Sequence, residues 1–368
     1  MVYTTKQKRL ITYLKEEMKT EHAIIMSPTN IYYYTGFYSD PHERFFALSV
    51  DAKNEKTILF LPSLDKSAAE GVAQADELVA VEDTDNPYEK FSETIGTQLQ
   101  SYGCEKGFIT LAQYEQLANY YPNADVYDIQ PYIASERLKK SRDEIEHVKE
   151  AIKVAEQALA KTIENIESGM TELRIKTLLE NEMMALGAEK IAFDTIVLSG
   201  KNSALPHGVP GDKKIENGDF LLFDFGATVN GYHSDLTRTF IVGKGTDEQK
   251  EIYETVREAN EKAIEAVKAG LPLKNVDRAA RDYIAAKDYG EFFTHRIGHG
   301  LGLEVHEEPS IHNENEQLME RGMLFTIEPG IYLKQLGGVR IEDDVYIDEE
   351  GEVEVLSSFG KEMTHISI

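Results

Sequence analysis

A β-hairpin is predicted by residues 220–240, FLLFDFGATVNGYHSDLTRTF. Residues 220–229 and 232–242 are rich in apolar and β-branched side chains, which favour strands. Between them, Asn230-Gly231 is the strongest short signal for a two-residue hairpin turn, because such a turn needs residues that tolerate a positive φ. The turn fixes which residues face each other, so the register follows by counting outward from it.

Two aspartates meet on one face of this hairpin. Counting from the turn puts Thr237 opposite Asp224 and Gly226 opposite Asp235. Asp224 and Asp235 are then diagonal neighbours, with Cβ atoms about 7–8 Å apart or somewhat less. Ionised carboxylates directed at one point repel each other unless a cation lies between them, and a glycine opposite Asp235 leaves room for it. The hairpin therefore predicts half of a metal site.

Further candidate ligands lie downstream in HRIGHGLGLEVHEEP (295–309), MLFTIEPG (323–330) and VRIEDDVYI (339–347). These motifs contain three histidines and two strand-borne glutamates: His295, His299, His306, Glu328 and Glu342. The glycines around His299 argue against a helix that would pair it with His295 as a ligand. His295 is assigned either a structural role or a role in contact with the ligands. The two-residue period of a strand places Arg340, Glu342 and Asp344 on one face of the last motif.

In this order, the motifs resemble those of the metallopeptidase family of prolidase, aminopeptidase P and methionine aminopeptidase, whose catalytic domain has the pita-bread fold. The resemblance places the family's metal ligands on five residues: Asp224, Asp235, His299, Glu328 and Glu342. NIYYYTGF (30–37) and SERLKKSRDEIEHVKEA (135–151) resemble the creatinase-type N-terminal domain and the domain junction of bacterial Xaa-Pro dipeptidases. Arg296-Ile297 departs from the small residues usual after His295, which affects the shape of the nearby pocket.

The resemblance implies two divalent metal ions. Four carboxylates with one imidazole form an oxygen-rich site that favours Mn²⁺ and tolerates Co²⁺, Zn²⁺ or Fe²⁺. By resemblance, Asp235 and Glu342 bridge the two ions. Asp224 completes the coordination of one ion, and His299 with Glu328 completes the coordination of the other. Paired ions lower the pKa of a shared water, so a bridging hydroxide is the expected nucleophile and Glu328 the expected proton shuttle.

Three further residues have roles by resemblance or by position. His207, in KNSALPHG, and His306 match the family's catalytic, substrate-binding histidines, which polarise the scissile carbonyl and stabilise the oxyanion. In isolation each is more often an ordinary loop or core histidine. Arg340 is the candidate that binds a substrate carboxylate in a charge-assisted pair, and a salt bridge to Asp343 or Asp344 is its alternative role.

The implied activity is metal-dependent hydrolysis of Xaa-Pro dipeptides, which are small peptides with proline in the second position. An aminopeptidase P that acts on longer peptides is one alternative. A catalytically silent pita-bread protein that binds peptide or protein is another, with a metal-free creatinase-type amidinohydrolase beside it. Relatives without metal chemistry generally lack the ligand set, which is complete here. The resemblance also implies a homodimer, in which residues 35–45 cap the active site of the partner.

Length and composition favour a two-domain enzyme. We predict an α/β (α+β) protein of 368 residues, with a creatinase-like N-terminal domain at 1–132 and a pita-bread catalytic domain at 133–368. The formal net charge of −26 disfavours binding to nucleic acid or to anionic membranes. The single cysteine, Cys104, together with the lack of an apolar leader or membrane segment, favours the cytoplasm.

Local patterns predict several elements of both domains. Apolar runs predict strands at 22–27, 44–50, 57–62 and 77–81, and helical periodicity covers 6–19 and 88–101. Ser141 is a suitable N-cap for a helix that runs to Gly169. Thr246 and Gln249 form a capping box for a helix that ends at Gly270.

Overall fold

The computed structural model describes residues 2–367, with a first compact unit that ends at Glu136 and a second that begins at Arg137. Helices and strands are present in both units, which confirms the predicted fold class. The boundary between residues 132 and 133 stays a prediction. Within the described part of the chain, every helix is too short or too polar to span a bilayer.

The first unit has one mixed sheet and several helices among its described residues. Its strands are β1 His22–Ile25, β2 Ala47–Asp51, β3 Lys56–Pro62, β4 Glu77–Val81, β5 Ser101–Cys104 and β6 Asp125–Asp128. They form a sheet in the order β4-β3-β2-β1-β5-β6. The helices are α1 Val2–Tyr13, α2 Pro28–Thr35, α3 Lys66–Ala69, α4 Pro87–Ile95, α5 Leu111–Tyr120 and α6 Gln130–Leu138, the last of which crosses into the second unit.

The helix predicted at 88–101 is too long at its C-terminal end. Helix α4 stops at Ile95 because Gly96 has a φ of +99°, which lies outside the helical region. Ser101 already begins β5, whose residues pair with both β1 and β6. The predicted strands at 22–27, 44–50, 57–62 and 77–81 correspond to β1 to β4.

The second unit contains four longer helices among its described residues: α7 Arg142–Glu164, α8 Glu172–Ala185, α9 Asp247–Glu265 and α10 Lys274–Ala286. The capping boxes at Ser141 and at Thr246 are present, so both predicted helix starts are confirmed. The predicted ends are wrong, because Gly169 and Gly270 lie in the loops that follow each helix. The backbone N–H of Gly270 donates to the Met319 carbonyl at 2.8 Å, a contact that local sequence does not encode.

Short strands make up the sheets of the second unit. They are β7 Lys190–Ile191, β8 Ile196–Ser199, β9 Phe220–Phe225, β10 Ala227–Val229, β11 Tyr232–His233, β12 Leu236–Val242, β13 Gly298–Gly300, β14 Glu307–Ile311, β15 Leu324–Ile327, β16 Gly330–Leu333, β17 Gly337–Arg340, β18 Asp343–Ile347, β19 Val353–Val355 and β20 His365–Ile366. The sheets run β20-β12-β9-β8, β14-β13-β15-β18-β19, β11-β10-β7 and β16-β17. Apolar faces of α9 and α10 pack with β15 and β18 in one buried core.

The hairpin register predicted from the Asn230-Gly231 turn is confirmed. Val229 pairs with Tyr232, and Thr237 pairs with Asp224. The role expected for Gly226 is wrong, because a Cβ there would lie 1.9 Å from the Ser234 carbonyl oxygen. The glycine therefore makes room for the opposite backbone and leaves no space for a cation at that point.

The motif at 339–347 forms two strands where one was predicted. Arg340 ends β17, which pairs with β16, whereas Asp343 begins β18, which pairs with β15. Glu342 lies in the break and makes an isolated bridge with Thr237, whose carbonyl accepts the Glu342 N–H at 3.1 Å. The bridge at this break connects the segment to the hairpin and brings Glu342 close to the two aspartates.

Candidate active site and metal centre

A cavity of about 580 Å³ in the second unit collects the residues singled out in the sequence. The eight predicted site residues all line it: His207, Asp224, Asp235, His299, His306, Glu328, Arg340 and Glu342. Asp224, His299 and Arg340 lie in β9, β13 and β17. The other five lie in the segments between strands: His207 after β8, Asp235 before β12, His306 before β14, Glu328 after β15 and Glu342 after β17. Because several sheets supply these residues, their positions depend on how the whole unit is packed.

A tight group of ligand atoms lies at the base of this cavity. One side-chain donor atom each from Asp235, His299 and Glu342 lies within 4.8 Å of the others, and all three residues are buried. The His299 Nε2 is 3.6 Å from Asp235 Oδ2 and 3.6 Å from Glu328 Oε1. Separations of this size suit donor atoms that share a cation, since the ligands of one metal ion need not touch each other.

The four carboxyl groups of the cavity all have raised pKa values when no cation is present. Burial, and then the charge of Glu342, raises the pKa values of Asp235 and Glu328 well above their usual range. Burial and the charge of Asp224 raise the pKa of Glu342 to about 8. Burial also raises the pKa of Asp224, although Arg340 opposes it. Cations would reverse this pattern by favouring the ionised carboxylates.

His299 has the tautomer that a metal ligand needs. Its Nδ1 lies 3.1 Å from the Gly300 carbonyl, so this nitrogen carries the proton and Nε2 presents its lone pair to the acidic group. Burial, and then the neighbouring His306, lowers the pKa of His299 to about 3, which keeps the imidazole neutral. A neutral, oriented imidazole surrounded by carboxylates is a donor set that fits divalent transition-metal ions.

Arg340 is buried, but its partners differ from the expected alternative. Its Nη2 donates to Asp224 Oδ2 at 2.5 Å, Nε donates to Thr237 Oγ1 at 3.0 Å, and Nη1 donates to Tyr332 Oη at 2.9 Å. The salt bridge proposed to Asp343 or Asp344 is therefore wrong. Asp343 pairs with Arg238 at 2.8 Å instead.

Thr237 and Tyr332 are neighbours of the site that sequence reasoning missed. The Thr237 hydroxyl donates to Glu342 Oε2 at 2.6 Å while it accepts the Arg340 Nε–H. The Tyr332 Oη also lies 2.9 Å from His295 Nε2, so it joins that histidine to Arg340. Thr237 could have been found from the predicted register, which already placed it opposite Asp224.

His207 and His306 lie at the exposed edge of the cavity. The His306 ring centroid is 4.2 Å from that of His299. Burial, and then the positive charge of Arg296, lowers the pKa of His306. Imidazole N–H groups at this edge can donate hydrogen bonds to a substrate carbonyl that lies over the carboxylates.

Arg296 adds a second guanidinium to the cavity wall. The sequence marked this residue only as a change of pocket shape. Its Nη1 donates to the Ser310 hydroxyl at 3.0 Å, and the rest of the group is partly exposed. The cavity wall therefore contains two arginines, Arg296 and Arg340.

Asn260 supports two of the predicted ligands from helix α9 and was also missed. It is fully buried, and its Nδ2 donates to the carbonyls of Ile327 at 3.0 Å and Ile341 at 3.4 Å. These residues immediately precede Glu328 and Glu342. One amide therefore fixes the backbone at both glutamates.

Comparison with known families matches both units. The model of metallopeptidase family M24 matches residues 146–349, and that of the creatinase/prolidase N-terminal domain matches residues 6–139. An uncharacterized peptidase of Staphylococcus aureus (strain MW2) is 38% identical over 357 residues, which are 97% of this chain and 100% of that protein.

Several solved structures are similar over nearly the whole chain. The Xaa-Pro dipeptidase from Bacillus anthracis has a TM-score of 0.91 at 33% identity, covering 98% of this chain and 99% of that one. The prolidase from Pyrococcus furiosus has a TM-score of 0.85 at 37% identity, with coverages of 95% and 99%. The X-Pro aminopeptidase from Thermotoga maritima has a TM-score of 0.89 at 34% identity, with coverages of 98% and 100%.

Proposed function

Because this chain belongs to metallopeptidase family M24, as its motifs predicted, we propose that it hydrolyses Xaa-Pro dipeptides with two divalent metal ions, preferably Mn²⁺. The observation that supports this most is the buried group of Asp235, His299 and Glu342, whose donor atoms lie within 4.8 Å of one another. Similar structures include an Xaa-Pro dipeptidase and a prolidase, which favours this substrate class.

The donor set fits the proposed ions in number and in charge. Five residues would hold them: Asp224, Asp235, His299, Glu328 and Glu342. Four ionised carboxylates balance the charge of two divalent cations, which offsets the mutual repulsion that raises the carboxylate pKa values. Bound ions of this kind supply a water molecule of lowered pKa as the nucleophile.

Protein side chains perform the remaining steps of the proposed reaction. Glu328 Oε1 lies 3.6 Å from His299 Nε2, at the edge of the ligand group. In its ionised form this carboxylate could take a proton from water and pass it to the leaving proline nitrogen. His207 and His306 would donate hydrogen bonds to the scissile carbonyl oxygen as its negative charge develops.

We propose that the free carboxylate of a dipeptide pairs with Arg340. Its three observed contacts use three of the five N–H donors of the guanidinium, and the group lies in the cavity wall beside the carboxylates. Arg296 would add positive charge on the exposed side. A longer peptide has an amide in place of this carboxylate, which costs about 2–5 kcal/mol if the pair is desolvated.

Comparison of Xaa-Pro dipeptides with Xaa-Pro-Xaa tripeptides tests this proposal. The metal-free protein is reloaded with Mn²⁺, Co²⁺ or Zn²⁺, and kcat/KM is measured for both lengths. We expect efficient cleavage of dipeptides and poor cleavage of tripeptides. Arg340→Ala should reduce the difference in kcat/KM between the two lengths, mainly by lowering kcat/KM for dipeptides. The metal content of this variant is also measured, because Arg340 contacts Asp224.

An aminopeptidase that acts on longer peptides is the second candidate. Its support is the similar structure of the X-Pro aminopeptidase from Thermotoga maritima, at 34% identity. If tripeptides are hydrolysed as fast as dipeptides, this second function replaces the first. If the metal-loaded protein cleaves neither, a silent peptide-binding protein remains, and binding of the same peptides is then measured by calorimetry.

A further inference from the structure

One buried carboxylate holds both ends of the loop that carries His207. Glu172 is the first residue of α8 and is fully buried. Its Oε1 accepts the Ser199 backbone N–H at 2.7 Å and the Ser199 hydroxyl at 3.0 Å. Its Oε2 accepts the Gly211 backbone N–H at 3.2 Å. Ser199 and Gly211 flank residues 200–210, which we call the His207 loop.

Additional bonds around Glu172 strengthen both ends. The Asn202 amide donates to the two carboxylate oxygens at 3.1 and 3.2 Å. On the returning side, the Glu172 backbone N–H donates to the Lys213 carbonyl and the Leu173 N–H donates to the Gly211 carbonyl, each at 3.0 Å. The start of α8 therefore fixes where the loop leaves β8 and where it returns.

His207 depends on this backbone for its position. Its side chain is exposed, and within residues 2–367 no hydrogen bond orients its imidazole. Inside the loop, the Leu205 N–H donates to the Asn202 carbonyl at 3.0 Å and the Gly208 N–H to the Leu205 carbonyl at 2.9 Å. These turns are anchored through Asn202, which Glu172 holds directly.

We propose that Glu172 is a positioning residue that places His207 over the cavity by clamping its loop at both ends. The inference rests on the proposed catalytic role of His207. A donor that stabilises developing charge must lie close to the reacting oxygen, and a displacement of about 1 Å can reduce the rate by about 100-fold. Among the described residues 2–367, the Glu172 carboxylate accepts hydrogen bonds from Ser199, Asn202 and Gly211, none of which is predicted to bind metal or substrate.

Glu172→Gln tests the clamp with little change of volume. The substitution replaces one carboxylate oxygen with an NH2 group, which donates hydrogen bonds and cannot accept them. Because this group would face the N–H donors of Ser199, Asn202 or Gly211, part of the clamp must open. We expect kcat for an Xaa-Pro dipeptide to fall by about 10- to 100-fold, with KM and bound metal nearly unchanged. In the metal-free protein, amide hydrogen exchange of residues 203–210 should accelerate.

Glu105→Gln is the matched control in the first unit. Glu105 is also buried, and it accepts the backbone N–H groups of Met26 at 2.7 Å and Ser27 at 3.0 Å as well as the Asn30 amide. This variant should lose comparable stability while kcat and the exchange of residues 203–210 stay at wild-type values. An equal loss of kcat in both variants would overturn the proposal, because destabilisation alone would then explain it.

A double-mutant cycle separates positioning from general structural damage. In a His207→Ala background, Glu172→Gln should have no further effect on kcat, because the group that it positions is gone. The same fold-loss in both backgrounds would overturn the proposal. If His207→Ala keeps full kcat, the proposed role of His207 fails; unchanged exchange of residues 203–210 in Glu172→Gln would separately refute the clamp.

Discussion

Asp235 is the residue whose replacement separates metal binding from folding most clearly. Its carboxylate is buried with a strongly raised pKa, and a smaller side chain there meets no steric conflict. We expect Asp235→Ala to lose activity and bound metal. The metal-free variant should unfold with a free energy equal to or above that of wild type, because a poorly solvated carboxylate is removed.

The metal content of the purified variant tests the predicted loss of metal. Denaturant unfolding of the metal-free protein tests the predicted free energy of unfolding. Asp282→Ala, an exposed aspartate on α10, is the control and should change neither quantity. Near wild-type turnover in Asp235→Ala with metal still bound would remove this residue from the proposed centre.

Glu307 gives a prediction on pH that involves no metal ligand. Burial opposes its ionisation, but Lys140 and Arg137 outweigh it and lower its pKa to about 2. The depressed value stabilises the folded state above the ordinary carboxyl pKa of about 4.3, and this stabilisation is lost as pH falls toward 2. Glu307→Gln should therefore cost about 3–5 kcal/mol at pH 7, and the cost should shrink steadily below about pH 4.

Urea unfolding of wild type and Glu307→Gln at several pH values measures how much unfolding free energy the substitution removes. Glu304→Gln is the matched control, because Glu304 also pairs with Arg137 at 2.8 Å but its side chain is 51% exposed. Its loss should be below about 1 kcal/mol. A Glu307→Gln penalty that stays constant down to pH 2 would contradict the assigned cause.

At the scale of elements, α9 supports the metal centre through Asn260. Asn260→Ala removes the amide that holds the Ile327 and Ile341 carbonyls, so Glu328 and Glu342 lose a common support. We expect affinity for Mn²⁺ to fall by about 10- to 100-fold, as for other residues that orient metal ligands. Asn165→Ala is the control. It removes an exposed hydrogen bond, which the Asn165 side-chain amide donates to a backbone carbonyl at the end of α7. Equal Mn²⁺ affinity in the two variants, measured by calorimetry, would show that Asn260 has no such role.

Elements fixed by nearby residues could be predicted, whereas those fixed by distant contacts could not. The hairpin register followed from Asn230-Gly231, and the starts of α7 and α9 followed from their capping residues. The ends of these helices did not, because contacts such as Gly270 with Met319 decide them. Glu172 and Asn260 were missed for the same reason, since a buried polar side chain shows its partners only in the folded chain.

At the scale of the molecule, the sequence alone did not bring the two halves of the site together. The hairpin pattern gave Asp224 and Asp235, but resemblance to a family assigned the ligands downstream. The bridge between Thr237 and Glu342, which are 105 residues apart, performs this assembly in the structure. No periodicity in either segment encodes that pairing, because each strand could satisfy its hydrogen bonds with another partner.

Assembly of two chains is the prediction that belongs to the whole molecule. We propose a cytoplasmic homodimer in which TGFYSDPHERF, residues 35–45, caps the active site of the partner. Asp40, His42 and Glu43 are exposed in the single chain, which leaves them available for a partner. Replacing these three residues with alanine should lower activity while leaving the metal content of each subunit unchanged.

Subunit complementation tests the cap directly. One chain carries Glu328→Gln, which disables its own site but keeps its loop, and the other carries the triple-alanine loop with an intact site. Each homodimer should be nearly inactive. Hybrid dimers, co-expressed with different affinity tags, should regain activity because the intact loop covers the intact site. A fully active monomer at assay concentration, or hybrids no more active than the two homodimers, would mean that the loop does not act across a dimer.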